Sequence, residues 1–525
     1  MDSVVDGLEL AEPQMREVLS MAKLDVEYVR AEGNSLYHLD AQQEEVQVAD
    51  FVGGYASLLL GHSNPEIIAH AKATLDAQTP VYVPIAIHAA ANRVAHQLNA
   101  IIHRETGSTE PYFAIFASTG AEAIESSLKH AEFVRTARIS ALTDEIGSHV
   151  EQVRAAIKNG DASVAEAAYA RLGLSGTGIE GFEEVAAEVQ RRNAETSATP
   201  PRFLAVEGAF HGKLVGSVQL THNASFRGPF EAMAARADFV PFNDPAAVAE
   251  VAARGRAQLL DLVLTDGVAA LVERDFPAYC AFVLEPIQGE GGIKPVTAEF
   301  AAAVRQACDT LDCPLILDEI QCGMGRSGKF FASSHVGLHG DYYVLAKSLG
   351  GGIAKNSVML VRGAHYRKEF ELIHSSTFAK DGFSSAIALK VLELLEAEDG
   401  KAYRLAEERG NALRDMLNRV AADNPNTVKE VRGKGLMLGL EFQDLTGSSA
   451  PMISGFAHAG VIGYVIAGYL LRGHRVRVLP TGSAPHTLRF TPSIQLCDAE
   501  IDQLETALRD ICEVLRTEDE QRLFG

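Results

Sequence analysis

The chain has 525 residues, 47% hydrophobic and 22% charged, a composition that suits a folded protein with room for roughly two to four domains. A net charge of −22 with no basic stripe to offset it excludes a general nucleic-acid or anionic-membrane role. The six cysteines are scattered and form no CxxC, which argues against a disulfide framework and a zinc knot, so reduced buried thiols and no metal are expected.

In chain order, Met1 to Ser20 lacks a cationic start followed by an apolar run, and no later stretch approaches ~20 apolar residues. A cytoplasmic protein with an acidic, helical start is the expectation. Ser35 to Asp40 alternates like a short strand, and Asn64-Pro65 opens a helix over Glu66 to Ala77. From about residue 110 the pattern is strand, glycine turn, helix. Tyr112 to Phe116 ends at Ser118-Thr119-Gly120-Ala121, before a helix from Glu122 to Arg135. Ala281 to Leu284, Pro314 to Leu317 and Tyr342 to Leu345 read as buried strands, with a helix from Glu299 to Asp309 between the first two. Short apolar strands separated by helices argue for a mostly parallel α/β sheet. Residues 138–200 carry no strand-like run and read as a mainly helical insertion, and 243–279 forms a second unusually long stretch. After about 385 the chain is helical again, then has strands at Gly435 to Phe442 and Thr487 to Phe490 and a last helix from Ala499 to Leu515. The division is an N-terminal segment 1–85, a large domain 86–385 and a smaller α+β domain 386–525.

Three places carry chemistry. Ser118 to Ala121 stands where a strand meets a helix, where backbone N–H groups and a hydroxyl can cradle a phosphate; a plain N-cap is the other reading. Asp318 and Glu319 emerge at a strand's carboxyl end, the functional edge of a parallel sheet. A carboxylate there can pair with a protonated ring nitrogen, bind a metal or cap a helix. Lys347 leaves a buried strand just before Gly350-Gly351-Gly352, where lost hydration lowers an amine's pKa and frees it to attack a carbonyl; a solvated charge is the alternative.

These motifs come with company. Ser118-Thr119-Gly120-Ala121-Glu122-Ala123, Phe210-His211-Gly212, Glu285-Pro286-Ile287-Gln288-Gly289-Glu290-Gly291-Gly292 and the run Asp318 to Gly328 follow one another. Ala346-Lys347-Ser348-Leu349-Gly350-Gly351-Gly352, Ser376-Thr377-Phe378 and Leu488-Arg489-Phe490-Thr491-Pro492 complete the series. In order and spacing the chain resembles the class III (ω-type) aminotransferases, the group of ornithine, acetylornithine and 4-aminobutyrate aminotransferases. That resemblance covers most of the chain outside the insertions. It implies pyridoxal 5′-phosphate (PLP) as cofactor, and a fold type I transferase with a mostly parallel seven-stranded sheet flanked by helices. A small α+β domain would be drawn from both termini.

The resemblance also assigns roles. Lys347 would form the internal aldimine and shuttle the proton. Asp318 would pair with the pyridinium nitrogen, Phe210 would stack on the ring (an ordinary core aromatic is the other reading) and Gln321 would bond the ring hydroxyl. Thr119, Gly120 and Ala121 would hold the phosphate, with Ser118, His211 and Glu285 completing the cofactor set. Thr377 would reach the phosphate from the partner subunit of a homodimer. Arg489 would grip the donor's α-carboxylate, with Glu290 masking it at other times and Tyr55 in the substrate pocket; a structural ion pair and plain packing are the alternatives for these three.

Two departures stand out. Ala379-Lys380-Asp381-Gly382-Phe383 replaces the usual continuation after Phe378, and Lys213 stands where the family commonly has arginine. The second puts recognition of a second substrate carboxylate in doubt. Insertions near the entrance would wall in a larger acceptor or dock a partner. The expected reaction moves an amino group from an amino-acid donor such as L-glutamate to an aldehyde or ketone, by a ping-pong mechanism. An aminomutase, decarboxylase or racemase is the alternative.

Overall fold

The computed structural model describes residues 11–83, 85–233 and 236–525. The expected acidic start lies mostly outside these; within them, the exposed helix Pro13–Met21 comes first.

Seven strands form the central sheet: β1 Tyr112–Ala117, β2 Arg202–Val206, β3 Arg236–Val240, β4 Tyr279–Leu284, β5 Leu315–Asp318, β6 Tyr342–Leu345 and β7 Ser357–Arg362. Their order is β1-β7-β6-β5-β4-β2-β3. Only β7 runs antiparallel to its neighbours, so the carboxyl ends of the other six share one edge. β4, β5 and β6 are buried along their whole length, which is why they read as continuous apolar runs rather than alternating ones. One face of the sheet packs beneath the 40-residue helix Gly120–Asn159 through Ala123, Ile124, Leu128 and Ala131. The other face shares its core with the C-terminal part of the chain.

That C-terminal part holds an antiparallel sheet of Val428–Lys434, Met437–Phe442, Thr487–Phe490 and Leu479–Pro480. It also contains the helices Ile462–His474 and Asp498–Thr517. The N-terminal strands Tyr28–Glu32, Ser35–Leu39 and Glu45–Asp50 join it through Val476–Arg477, which pairs with Ala49 and Asp50. Buried Arg326 ties these regions together. Its guanidinium donates to the carbonyls of Leu436 (3.0 Å), Pro492 (2.9 Å) and Ala56 (3.2 Å), and burial pushes its pKa down to about 9.

The insertion 138–200 and the hairpin of the second stretch form one body. Strands Ala257–Thr265 and Val268–Phe276 make a hairpin, and Ser163–Val164 adds to it beside Val268 and Ala269. The mainly helical insertion 138–200 also holds this short strand, which the sequence did not show: two residues are too few to leave a pattern. The far half of the helix Gly120–Asn159 and the helix Gly178–Ser197 cover the hairpin, burying Val153, Phe182, Val185, Val189, Leu262 and Ala269 in a separate core. Among the described residues no single helix is long and apolar enough to cross a membrane. Five cysteines are buried, Cys497 is exposed and all six are free.

Candidate active site

Successive strand residues face opposite ways, and the two acids ending β5 divide accordingly. Asp318 accepts a hydrogen bond from His211 Nδ1 at 2.7 Å and from the Ile320 N–H at 3.1 Å. Glu319 turns away and accepts from the N–H groups of Ala332 (2.9 Å) and Ser333 (2.8 Å), pinning a loop; burial pushes its carboxyl up to about 7. Burial also works against a charged His211, but the bond and charge of Asp318 outweigh it and the imidazole's pKa is raised. His211 Nε2 is buried without a partner. No group of three or more metal-ligating side chains occurs among the described residues, so the metal reading of Asp318 has no support.

Lys347 follows β6 with φ at +48°, a left-handed conformation that a side chain adopts at a cost. Enclosure by protein, and then the Arg489 guanidinium, lower its pKa to about 8 against the opposing charges of Glu290, Asp318 and Glu285. About a tenth of the amine is therefore neutral at pH 7, far more than for a solvated lysine.

The N-cap and the phosphate cradle prove compatible. Thr119 caps the helix, and Glu122 closes a capping box by accepting the N–H groups of Ser118 (2.7 Å) and Thr119 (3.1 Å). The N–H groups of Gly120 and Ala121 head the helix and have no intrahelical acceptor. A Cβ at Gly120 would stand 2.9 Å from Ile320 Cδ1, so a side chain there would push Ile320 aside.

Glu285, just past β4, shapes the facing loop. Its carboxylate accepts the N–H groups of Phe210 (2.9 Å) and Gly289 (3.0 Å), and burial pushes it up to about 7. Phe210 meets Phe226 edge to face at 6.3 Å. Gln321 Oε1 is buried and unpaired.

Arg489 is buried on the strand Thr487–Phe490 and forms an ion pair with Glu290, which also accepts the Gly482 N–H at 2.7 Å. Burial opposes the Glu290 charge, but Arg489 outweighs it and holds the carboxyl below its usual range. Arg489 Nε and Nη2 have no partner, and the guanidinium lies 4.7 Å from the Tyr55 ring centroid. Tyr55 is 46% exposed with φ at +55°.

A cavity of about 530 Å³ gathers every predicted residue except Tyr55, Arg489 and Thr377. Arg489 and Tyr55 stand behind it, reached through Glu290. Thr377 is exposed and lines an adjoining cavity of about 860 Å³ together with Ser118 and Thr119. Neither inserted stretch contributes a residue to the central cavity, so the expected acceptor wall is not built from them. Residue 150 lies about 45 Å along its helix from Gly120, at 1.5 Å per residue.

Sequence reasoning missed Ser57, Lys355 and Asn356, which line the cavity. The last two stand three and four residues after Gly352 and could have been found from that run. Tyr464, whose pKa is raised by burial and then by Tyr55 and Glu290, could not: its helix reads only as an apolar core helix.

A model of the class-III aminotransferase family matches residues 19–512. The ornithine aminotransferase of Toxoplasma gondii aligns over 98% of both chains at 20% identity, with a TM-score of 0.65. An omega transaminase of Pseudomonas jessenii, solved with PMP, aligns over 97% of this chain and 96% of its own at 18% identity, with a TM-score of 0.69. The ornithine δ-aminotransferase of Plasmodium falciparum aligns over 94% of both at 18%, with a TM-score of 0.62. The match spans nearly the whole chain, which therefore belongs to the class-III aminotransferase family of PLP-dependent transaminases.

Proposed function

We propose that this enzyme is a cytoplasmic homodimer that moves an amino group from an amino-acid donor such as L-glutamate to an aldehyde or ketone on a longer carbon chain. The observation that carries the site assignment is the convergence of Lys347, Asp318, Phe210, Gln321 and the Gly120–Ala121 turn on one cavity. These residues fit PLP. Lys347 offers an amine of lowered pKa to an aldehyde, Asp318 is an acceptor for a protonated ring nitrogen, and the unpaired Gln321 Oε1 is free to meet a ring hydroxyl proton. When bound, the cofactor supplies an electron sink for the substrate's α-carbon.

The chain's own groups do the rest. His211 fixes the Asp318 carboxylate, which would hold a protonated ring nitrogen, and the Glu285 carboxylate fixes the backbone of Phe210, whose ring would cover a cofactor face. With its lowered pKa, the Lys347 amine would hold and move a proton at the side of the cavity where the substrate's α-carbon would sit. Arg489 grips the donor carboxylate with the Nε and Nη2 protons left unpaired, and Glu290 gives way when it does. Both halves of the reaction use this one site in turn.

Support for the dimer comes from exposed apolar side chains of two segments that meet: Val81, Tyr82, Val83, Ile85 and Ile87 beside Leu372, Ile373 and Phe378. Tyr82 and Phe378 lie 5.2 Å apart, and the Gly382 N–H bonds the Val81 carbonyl at 2.7 Å. A second subunit covering this patch would bury an exposed apolar surface beside Thr377.

The acceptor reading rests on Lys213. Its ammonium sits 4.0 Å from the Phe226 ring centroid, which presents an aromatic surface and a point charge where a planar guanidinium is common in the family. Turnover of apolar aldehydes against ornithine and 4-aminobutyrate, with L-glutamate as donor, tests it. The aldehydes should rank first; the reverse ranking removes the longer-chain reading.

A further inference from the structure

We propose that Lys355 is the cation that neutralises the cofactor phosphate in this enzyme, an inference that rests on placing that phosphate at Gly120 and Ala121. The cup at the head of the helix is unusual in its charge. Glu122 already takes the Ser118 and Thr119 N–H groups at 2.7 and 3.1 Å, which brings a carboxylate to the rim where a dianion must bind. The remaining N–H groups and the Thr119 hydroxyl supply partial charges alone, so a full positive charge has work to do there.

Three lysines line the cavity. Lys347 faces Asp318, Glu285, Glu290 and Arg489, the groups that set its pKa, and is committed to the aldehyde end. Lys213 lies over Phe226, at the wall formed with Phe210. Lys355 is different. It lines both the central cavity and the adjoining one that holds Thr377, and Ser118 and Thr119 line the same two spaces. Its side chain is exposed, and among the described residues no hydrogen bond or ion pair engages its ammonium. The chain around it is anchored: Asn356 Nδ2 donates to the Ser384 carbonyl at 3.0 Å, and Ser357 Oγ donates to the Thr119 carbonyl at 2.7 Å. The second bond ties the strand that starts beside Lys355 directly to the cap residue of the cup. An unpaired ammonium is thus held on the phosphate side by backbone that the cup itself fixes.

The test is equilibrium binding of PLP and of pyridoxal, which lacks the phosphate, to the full chain freed of cofactor, read by absorbance. Wild type, Lys355→Gln and Lys355→Arg are compared at low and high salt. Lys355→Gln should weaken PLP about five- to tenfold and flatten its salt dependence, with pyridoxal changed less than about twofold and Lys355→Arg close to wild type. Wild type preferring PLP strongly, with Lys355→Gln keeping the same preference and salt dependence, overturns the role of Lys355 alone. Wild type binding pyridoxal as tightly as PLP overturns the phosphate cup, and this proposal with it.

Discussion

The helix Gly120–Asn159 forms the cup of the cavity at its first turn and a wall of the inserted body at its last turns. The two ends solve different problems. The inserted body is built to be stable: apolar residues meet in its own core, and its ion pairs, such as Arg154 with Glu183 at 2.8 Å, lie mostly at the surface. Its one fully buried carboxylate, Asp261, is matched by both His149 and Arg274 at 2.9 Å. The site tolerates unmet polar groups that the insertion avoids. Gln321 and His211 in the cavity and Arg489 behind it have buried atoms without partners, and Lys347 and Glu285 have pKa values displaced toward neutrality. The unpaired buried groups around this cavity are ones that a bound ligand could complete.

Substitutions on the two sides should separate chemistry from stability. Lys347→Ala should lower kcat by more than about 10³-fold, because no other amine stands at that point to hold the aldehyde and move the proton. Its melting temperature should not fall, which differential scanning calorimetry checks. Asp318→Asn should cost about 10²–10³-fold in kcat, since a neutral amide cannot keep a ring nitrogen charged. It should also lower the His211 pKa, which carboxylate pairing now raises, as followed by NMR of the ring protons. Phe182→Ala should do the reverse, destabilising the inserted body by about 3–5 kcal/mol while leaving kcat within about twofold. Proteolysis should then cut within 138–200 first.

The smallest expected effect is on pH dependence. In cofactor-free protein, trapping of a small aldehyde on Lys347 should rise with a midpoint near pH 8. A neighbouring positive charge disfavours the ammonium form, so Arg489→Gln should move that midpoint upward. Movement downward would mean that Arg489 does not act on this amine.

The two regions also differ in how much of them the sequence reveals. β4, β5 and β6 are legible as apolar runs because burial on both faces leaves no polar alternation, and the glycines and charged residues at their ends mark the functional edge. Most of the fourteen site positions came from motif order rather than from periodicity, and eleven of them share the central cavity. Periodicity alone could not distinguish Asp318 from Glu319. That took the strand's final orientation, which points one at His211 and the other at a loop. The union of 138–200 with the hairpin 257–276 was illegible because its contacts cross some hundred residues of chain, and the helix that joins it to the cup reads as uninterrupted.

The central claim is that Lys347 holds the cofactor and exchanges it with an amino donor. An absorbance spectrum of the purified protein, before and after L-glutamate and beside Lys347→Ala, tests it most directly. A yellow protein that bleaches with glutamate, and a variant that lacks the colour or does not respond, is the predicted result. A protein that stays colourless with added PLP, or a Lys347→Ala variant that bleaches like the wild type, would contradict it.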